Sequence, residues 1–277
     1  MRSFCYQLQE ADLAQLQQSN FDLMILDYSR DGTAAGRWTS AEISTLQRHP
    51  RGSRRLVLAY LSIGEAENYR FYWQKGFRPG QPGWLDKSNP NWPNNFKVRY
   101  WDKSWQAILF GNPQAYLDQI LEAGFDGIYL DIVDAYEYYE ERGRGSASQE
   151  MVQLITNLAK YGRQRGGADF GVFTQNGEAL WQKSLLATIT GVGREDTYFG
   201  YEAEGRPSPL VFTRTMETRL DAVVKAGKIV LNVDYTANPK QVKEAYHRAL
   251  QHSYLEYTTT RGLDRLWLWP GLQPPKT

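Results

Sequence analysis

Acidic residues stand at the ends of several short apolar runs in the sequence. The run over residues 128–130 ends on Asp131, similar runs end on Asp27 and Asp234, and a weaker one ends on Glu195. A short apolar run predicts a buried strand, and α/β barrels present their catalytic groups at the C-terminal ends of such strands. Two carboxylates at one barrel mouth could divide the roles of proton donor and of nucleophile or base.

The strands that must position these acids alternate with helices along the chain. Strands are predicted to begin near Phe4, Asp22, Leu56, Ile128, Phe170, Ile189, Ile229 and Tyr254. Predicted helices are Ala11–Gln18, Ser40–Arg48 with Ser40 as N-cap, Pro113–Ala123, Ser148–Arg165, Ala179–Leu186, Phe212–Ala226 and Pro239–Gln251. This order predicts an α/β fold, a single (β/α)8 TIM barrel over residues 1–277 with a long insertion, about residues 64–111, after the third strand. A doubly wound open sheet is the alternative, although no phosphate-binding glycine pattern follows a strand.

In a closed barrel the C-terminal ends of all strands converge on one face. The side chains expected there to bind substrate, besides Asp131 and Glu195, are Asp27, Tyr28, Glu65, Glu67, Asp134, Gln175, Asn176, Asp234 and Tyr235. For any single acid, a hydrogen-bonded cap of the next helix is the competing interpretation.

Aromatic residues make up 14% of the chain, and five tryptophans fall within the insertion. They are Trp73, Trp84, Trp92, Trp101 and Trp105. Aromatic side chains combine a large apolar face with polar edges, which suits the stacking of sugar rings. A carbohydrate-lined groove and a well-packed long loop both account for them, and Trp101 is included among the candidate substrate-binding residues. Paired carboxylates beside sugar-stacking aromatics favour cleavage of a glycosidic bond.

Composition and charge restrict the other classes of function. Lys and Arg total 32 against 31 Asp and Glu, which gives no support for nucleic-acid binding. Cys5 is the single cysteine, and it shows no zinc-ligand spacing with the three histidines, so neither a metal nor a cofactor is expected. No apolar run approaches the roughly 20 residues needed to span a bilayer, and no signal peptide is visible. Nothing in the pattern indicates an oligomeric state.

Four segments together resemble glycoside hydrolase family 114, which includes endo-α-1,4-polygalactosaminidases. They are Ala59–Glu67, Gly124–Asp131, Thr174–Gly177 and Gly193–Asp196. The resemblance implies a (β/α)8 barrel that acts on α-linked galactosamine-containing polymers, with Asp131 as nucleophile and Glu195 as general acid/base. Retention of configuration and endo action are expected on the same ground. The family tends to be extracellular, whereas this chain shows no export signal.

The acid-rich mouth fits such a substrate, because a de-N-acetylated galactosamine polymer is cationic near neutral pH. Asp27, Glu65, Glu67 and Asp234 are expected to bind its amine or hydroxyl groups. Three arginines near the same rim would cancel part of this field: Arg30, Arg70 and Arg194.

Two other functions stay open at this point. Asp131, Asp134, Glu195 and Asp234 could hold Mg²⁺ or Ca²⁺ through their oxygens, as in a metal-assisted sugar lyase or isomerase. Alternatively, the barrel could bind a polysaccharide or oligosaccharide without cleaving it.

Overall fold

Eight parallel strands form a nearly closed barrel in the computed structural model, which describes residues 1–273. The barrel strands, in chain order, are Phe4–Gln7, Leu23–Asp27, Leu56–Ser62, Gly127–Asp131, Gly171–Gln175, Gly191–Glu195, Ile229–Tyr235 and Leu255–Thr259. Each strand pairs in parallel with the next one along the chain. The first and eighth strands meet at Phe4 and Tyr257, whose ring centroids lie 5.8 Å apart. The predicted (β/α)8 barrel is confirmed, and the open doubly wound sheet is wrong.

Large side chains fill the barrel interior. The rings of Tyr6 and Tyr129, on the first and fourth strands, lie 5.3 Å apart between centroids, and both side chains are buried. A Cβ at Gly193, on the sixth strand, would lie 1.8 Å from the Tyr129 hydroxyl oxygen. The glycine therefore leaves the space that the Tyr129 ring occupies, and the interior is a packed floor beneath the mouth.

Helices cover the barrel, with bounds Leu13–Gln18, Ser40–Leu46, Lys103–Leu109, Tyr116–Ala123, Ala135–Glu140, Ala147–Gly166, Lys183–Thr188, Leu210–Lys225 and Pro239–Gln251. The N-cap of the second helix is Thr39 and not Ser40, because Thr39 and Glu42 form a reciprocal capping box. The predicted start at Pro113 is also wrong. Asn112 closes a turn there by accepting from the N–H groups of Gln114 and Ala115, and the helix begins at Tyr116.

The insertion after the third strand folds into a small layer of its own. Its three antiparallel strands are Glu65–Glu67, Leu85–Ser88 and Asn95–Val98, with the last of them in the middle. The indole N–H of Trp105, on the helix Lys103–Leu109 of the insertion, donates at 3.0 Å to the carbonyl oxygen of Ile63, directly after the third barrel strand. The layer lies beside the barrel mouth and contributes to its rim.

Candidate active site

The two predicted catalytic carboxylates face one another across the end of the fifth barrel strand. Asp131 ends the fourth strand, Gln175 the fifth and Glu195 the sixth. The Gln175 side-chain nitrogen donates to Asp131 Oδ1 at 3.0 Å and to Glu195 Oε2 at 2.8 Å. These two carboxylate oxygens are therefore no farther apart than the sum of the two distances, about 5.8 Å. One amide group links both acids.

The chain turns sharply after each of these three residues. Ile132, Asn176 and Asp196 follow them directly and have φ angles of 56°, 59° and 63°. The left-handed region is unusual for any residue with a side chain and is strained for a β-branched one such as Ile132. A Cβ at Gly64 would lie 2.2 Å from the Ile132 carbonyl oxygen, so this glycine permits the turn after Asp131. The turns leave the last side chain of each strand directed into the mouth.

Further hydrogen-bond donors hold each carboxylate. The Tyr60 hydroxyl donates to Asp131 Oδ2 at 2.7 Å, and the Asn176 amide donates to Glu195 Oε2 at 2.9 Å. The Tyr235 hydroxyl donates to Glu195 Oε1. Burial, and then the charge of Glu195, raise the pKa of Asp131 to about 8.

A cavity of about 730 Å³ opens over the carboxylates, within the range of pockets that enclose small-molecule ligands. Eight of the twelve candidate residues line it: Asp27, Glu67, Asp131, Asp134, Gln175, Asn176, Glu195 and Tyr235. Among the described residues, its lining carries seven carboxylates and three guanidinium groups. Burial, and then the charge of Glu137, raise the pKa of Asp134 to about 6.

Arg70 pairs with two of the lining acids and offsets one of their two negative charges. Its guanidinium donates to both carboxylate oxygens of Asp27, each at 2.7 Å, and to Glu67 Oε2. The Tyr69 hydroxyl donates to the other Glu67 oxygen at 2.6 Å. This buried bidentate pairing fixes the orientation of the Arg70 guanidinium against the wall of the cavity. The negative field at the mouth therefore rests mainly on lining acids other than these two.

The structure places two aromatic candidates outside the cavity lining. Tyr28 is buried, with its ring edge-on to Tyr116 at 4.7 Å between centroids. Trp101 packs edge-on against Tyr139 at 4.7 Å, and Arg144 covers its face at 3.7 Å. Both rings have their faces occupied by protein neighbours.

Two acidic candidates are also outside the lining. Glu65 is buried and accepts from the Asn89 side-chain amide at 3.0 and 3.3 Å. Asp234 is fully buried and accepts from the backbone N–H groups of Tyr198 and Phe199 at 2.8 and 2.9 Å. Both carboxylates therefore hold neighbouring backbone or side chains in place, which is the capping-type role that competes with substrate binding.

Asp234 belongs to a second carboxyl pair on the opposite face of its strand from Tyr235. The Asn232 side-chain nitrogen donates to Asp234 Oδ2 at 2.9 Å and to Glu256 Oε2 at 2.7 Å. Burial raises the pKa of Asp234 to about 7, and burial with the charge of Asp234 raises the pKa of Glu256 well above its ordinary value. This pair packs behind the barrel wall and does not line the cavity.

Sequence reasoning missed several residues of the site. Tyr60 and Tyr6 belong to barrel strands and line the cavity, and their inward direction follows from strand alternation with neighbours already assigned. Arg261 follows the eighth strand; its guanidinium lies 4.3 Å from the Tyr235 ring centroid and pairs with Asp196 at 2.8 Å. No local pattern in the sequence marks Arg261, because its partners come from distant strands.

Within residues 1–273, no group of three or more His, Cys, Asp or Glu side chains is arranged to hold a metal ion. Asp234, one of the acids considered for such a site, is separated from Asp131 and Glu195 by the barrel wall. None of the helices described is both long enough and apolar enough to cross a membrane.

Residues 1–273 match the sequence model of glycoside hydrolase family GH114. The chain is 36% identical over 281 residues to an uncharacterized protein of Methanocaldococcus jannaschii, covering 96% of this chain and 78% of that protein. It is 32% identical over 292 residues to an uncharacterized protein of Thermotoga maritima, covering 99% and 86%. Among solved structures, the glycoside hydrolase domain of PelA from Pseudomonas aeruginosa has a similar fold, with a TM-score of 0.72, 22% identity, and coverage of 95% and 96%.

Proposed function

The chain belongs to glycoside hydrolase family GH114, and we propose that it cleaves α-1,4-linked galactosamine-containing polysaccharide with Asp131 and Glu195 as the catalytic pair. The observation that carries this proposal is the single Gln175 amide that donates to both carboxylates at the cavity floor. It limits the separation of the bonded oxygens to about 5.8 Å, which supports a retaining reaction (about 5–5.5 Å) over an inverting one (about 6.5–9.5 Å).

In the proposed reaction, Asp131 attacks the anomeric carbon while Glu195 donates its proton to the leaving glycosidic oxygen. A covalent glycosyl ester forms on Asp131 as the glycosidic bond breaks. Glu195 then removes a proton from water, whose oxygen attacks the same carbon and releases Asp131. Tyr60 and Gln175 hold Asp131 for attack, and Tyr235 holds Glu195.

The raised pKa of Asp131 favours a second assignment, in which Asp131 carries the proton as general acid and Glu195 attacks. A cationic amino sugar beside Asp131 would lower that pKa, since a nearby positive charge stabilises the carboxylate. The assignment of Asp131 as nucleophile therefore requires a positive charge of the substrate near Asp131, whereas the reversed assignment does not.

Azide rescue distinguishes the two assignments. Asp131→Ala and Glu195→Ala are each incubated with an activated α-galactosaminide and azide, and the glycosyl azide is identified by NMR. Azide that replaces a lost nucleophile gives the β-azide, whereas azide that attacks the glycosyl enzyme of an acid/base variant gives the α-azide. We expect the β-azide from Asp131→Ala, and an α-azide from that variant would establish the reversed roles.

The excess of carboxylates in the cavity supports a cationic polymer as the substrate, because a field of one sign concentrates the opposite charge. A panel of α-linked amino-sugar polymers, with products sized by mass spectrometry, tests both substrate and mode of attack. We expect short oligomers to be released from polygalactosamine, and release of only monomers would contradict endo action. Raising the salt concentration should weaken binding of the charged polymer more than that of its acetylated form.

Substitution of the two carboxylates tests whether the protein binds the polysaccharide without cleaving it. Asp131→Asn and Glu195→Gln should each lower turnover by orders of magnitude while the circular dichroism spectrum is unchanged. Variants that bind and behave like the parent protein would favour the non-catalytic alternative.

A further inference from the structure

The five tryptophans of the insertion occupy different environments. Trp84 and Trp105 are buried with ring centroids 4.9 Å apart, and Trp73 packs on aromatic neighbours. Trp101 lies under an arginine, outside the cavity. Trp92 alone among these five is largely exposed, at 57% of its surface, and also lines the cavity. An exposed indole on a cavity wall points to a ligand, because core packing does not account for it.

The turn that carries Trp92 is held in place by two backbone hydrogen bonds and by the side chain of Asn89. The Trp92 N–H donates to the Asn89 carbonyl oxygen at 3.2 Å, and the Asn95 N–H donates to the Trp92 carbonyl oxygen at 2.8 Å. The Asn89 side chain donates in turn to both oxygens of Glu65, which is 1% exposed. The indole therefore stands on a preorganised turn, so that a ligand does not have to order the backbone on binding.

A second exposed ring lines the same cavity beside this turn. Tyr69 is 42% exposed, and its hydroxyl is fixed by Glu67. The backbone N–H of Asn68 donates to the Asn94 carbonyl oxygen at 2.9 Å, which joins the Tyr69 segment to the Trp92 turn. The two rings thus belong to one connected part of the rim.

We propose that Trp92, together with Tyr69, forms a stacking subsite for a pyranose ring of the polysaccharide, separate from the subsites that contact the cleaved bond. The catalytic acids stand on the fourth and sixth barrel strands, whereas these rings stand on the insertion after the third strand. In this proposal the sugar unit held on the rings is not the unit under attack, so the subsite selects chains over short glycosides. The proposal rests on the proposed function for its substrate and names the residues that recognise chain length.

The experiment compares kcat/KM on α-1,4-polygalactosamine with kcat/KM on 4-nitrophenyl α-galactosaminide, for which only the cleavage point is occupied. We expect Trp92→Ala to lower the ratio of the two values about tenfold, and Trp92→Phe to recover part of it, because a single aromatic stack is of that strength. Asn89→Ala should lower the ratio by less, since it loosens the turn but keeps the indole. Tyr201→Ala is the matched control, as Tyr201 is 52% exposed but lies outside the cavity lining.

A ratio in Trp92→Ala equal to that of the parent protein would overturn the subsite, and so would an equal loss on both substrates. Binding of polygalactosamine to Asp131→Asn, measured by isothermal titration calorimetry with and without Trp92→Ala, separates this inference from the proposed function. If the polymer is cleaved but Trp92→Ala has no effect, only the subsite is refuted. If binding depends on Trp92 but no cleavage occurs, only the proposed hydrolase function is refuted. If neither binding nor cleavage occurs, both proposals are refuted.

Discussion

Replacing Asp131 by Asn should make the protein more stable and inactive at once. Burial, and then the charge of nearby Glu195, disfavour the ionised form of Asp131. Its carboxyl group accepts hydrogen bonds from Tyr60 and Gln175. Asn has nearly the same shape, keeps an oxygen for a hydrogen bond and carries no charge. Catalytic sites often store instability of this kind, which substitution of the functional group releases.

The size of the gain follows from the pKa of Asp131, about 8 in the folded protein against an ordinary value of 3.8. A carboxyl with a raised folded-state pKa stabilises the fold while it is protonated, and this contribution is lost as the pH rises towards that pKa. Between pH 5 and pH 8 the loss has a ceiling of about 4 kcal/mol, at about 1.4 kcal/mol per unit. Because Asn has one acceptor oxygen for the two donors Tyr60 and Gln175, we expect it to recover about half of this, roughly 2 kcal/mol, or about 4–8 °C in Tm.

The assay is thermal unfolding followed by circular dichroism at pH 5, 7 and 9, for the parent protein, Asp131→Asn and Asp169→Asn. Asp169 is exposed, so its substitution controls for the loss of one negative charge. The stability difference between Asp131→Asn and the parent should grow from pH 5 to pH 9, whereas the control difference should stay constant. A difference that does not change with pH, or a variant less stable than the parent at pH 9, would refute the burial argument.

Three further outcomes are expected. Tyr235→Phe removes a donor to Glu195, so kcat/KM should fall about 10- to 100-fold with an altered pH profile and an unchanged fold; an unchanged rate would contradict a positioning role for that hydroxyl. Glu256→Gln removes one of the two buried carboxyl groups that Asn232 links, and with it the repulsion between Glu256 and Asp234. The fall in Tm between pH 6 and pH 9 should therefore become shallower than in the parent, while activity persists. Treatment with a chelator should leave hydrolysis intact, and loss of activity that added Mg²⁺ or Ca²⁺ restores would favour the metal-assisted alternative.

Local sequence patterns predict much of the barrel. Apolar runs followed by an acid or amide predicted the strands that carry Asp131, Gln175 and Glu195. The helix predicted to end at Ala123 does end there, before Gly124, where φ is 85°. Parallel strands of a barrel must bring their C-terminal ends to one mouth, so the meeting of these three side chains follows from strand order alone. The helix start at Pro113 was wrong because turn chemistry at the preceding asparagine competed with it.

The sequence by itself determined the barrel, the strand ends and the acids placed on them, because strand alternation and the parallel barrel leave little choice of position. Only the tertiary structure decided which of these acids are available to a substrate and which are engaged by other parts of the protein. Asp27 is paired with Arg70, 43 positions away in the chain, and Glu65 and Asp234 make structural contacts. It also decided that Trp92, rather than Trp101, faces the cavity. Charge neutralisation and exposure depend on neighbours brought together by folding, and no local pattern encodes them.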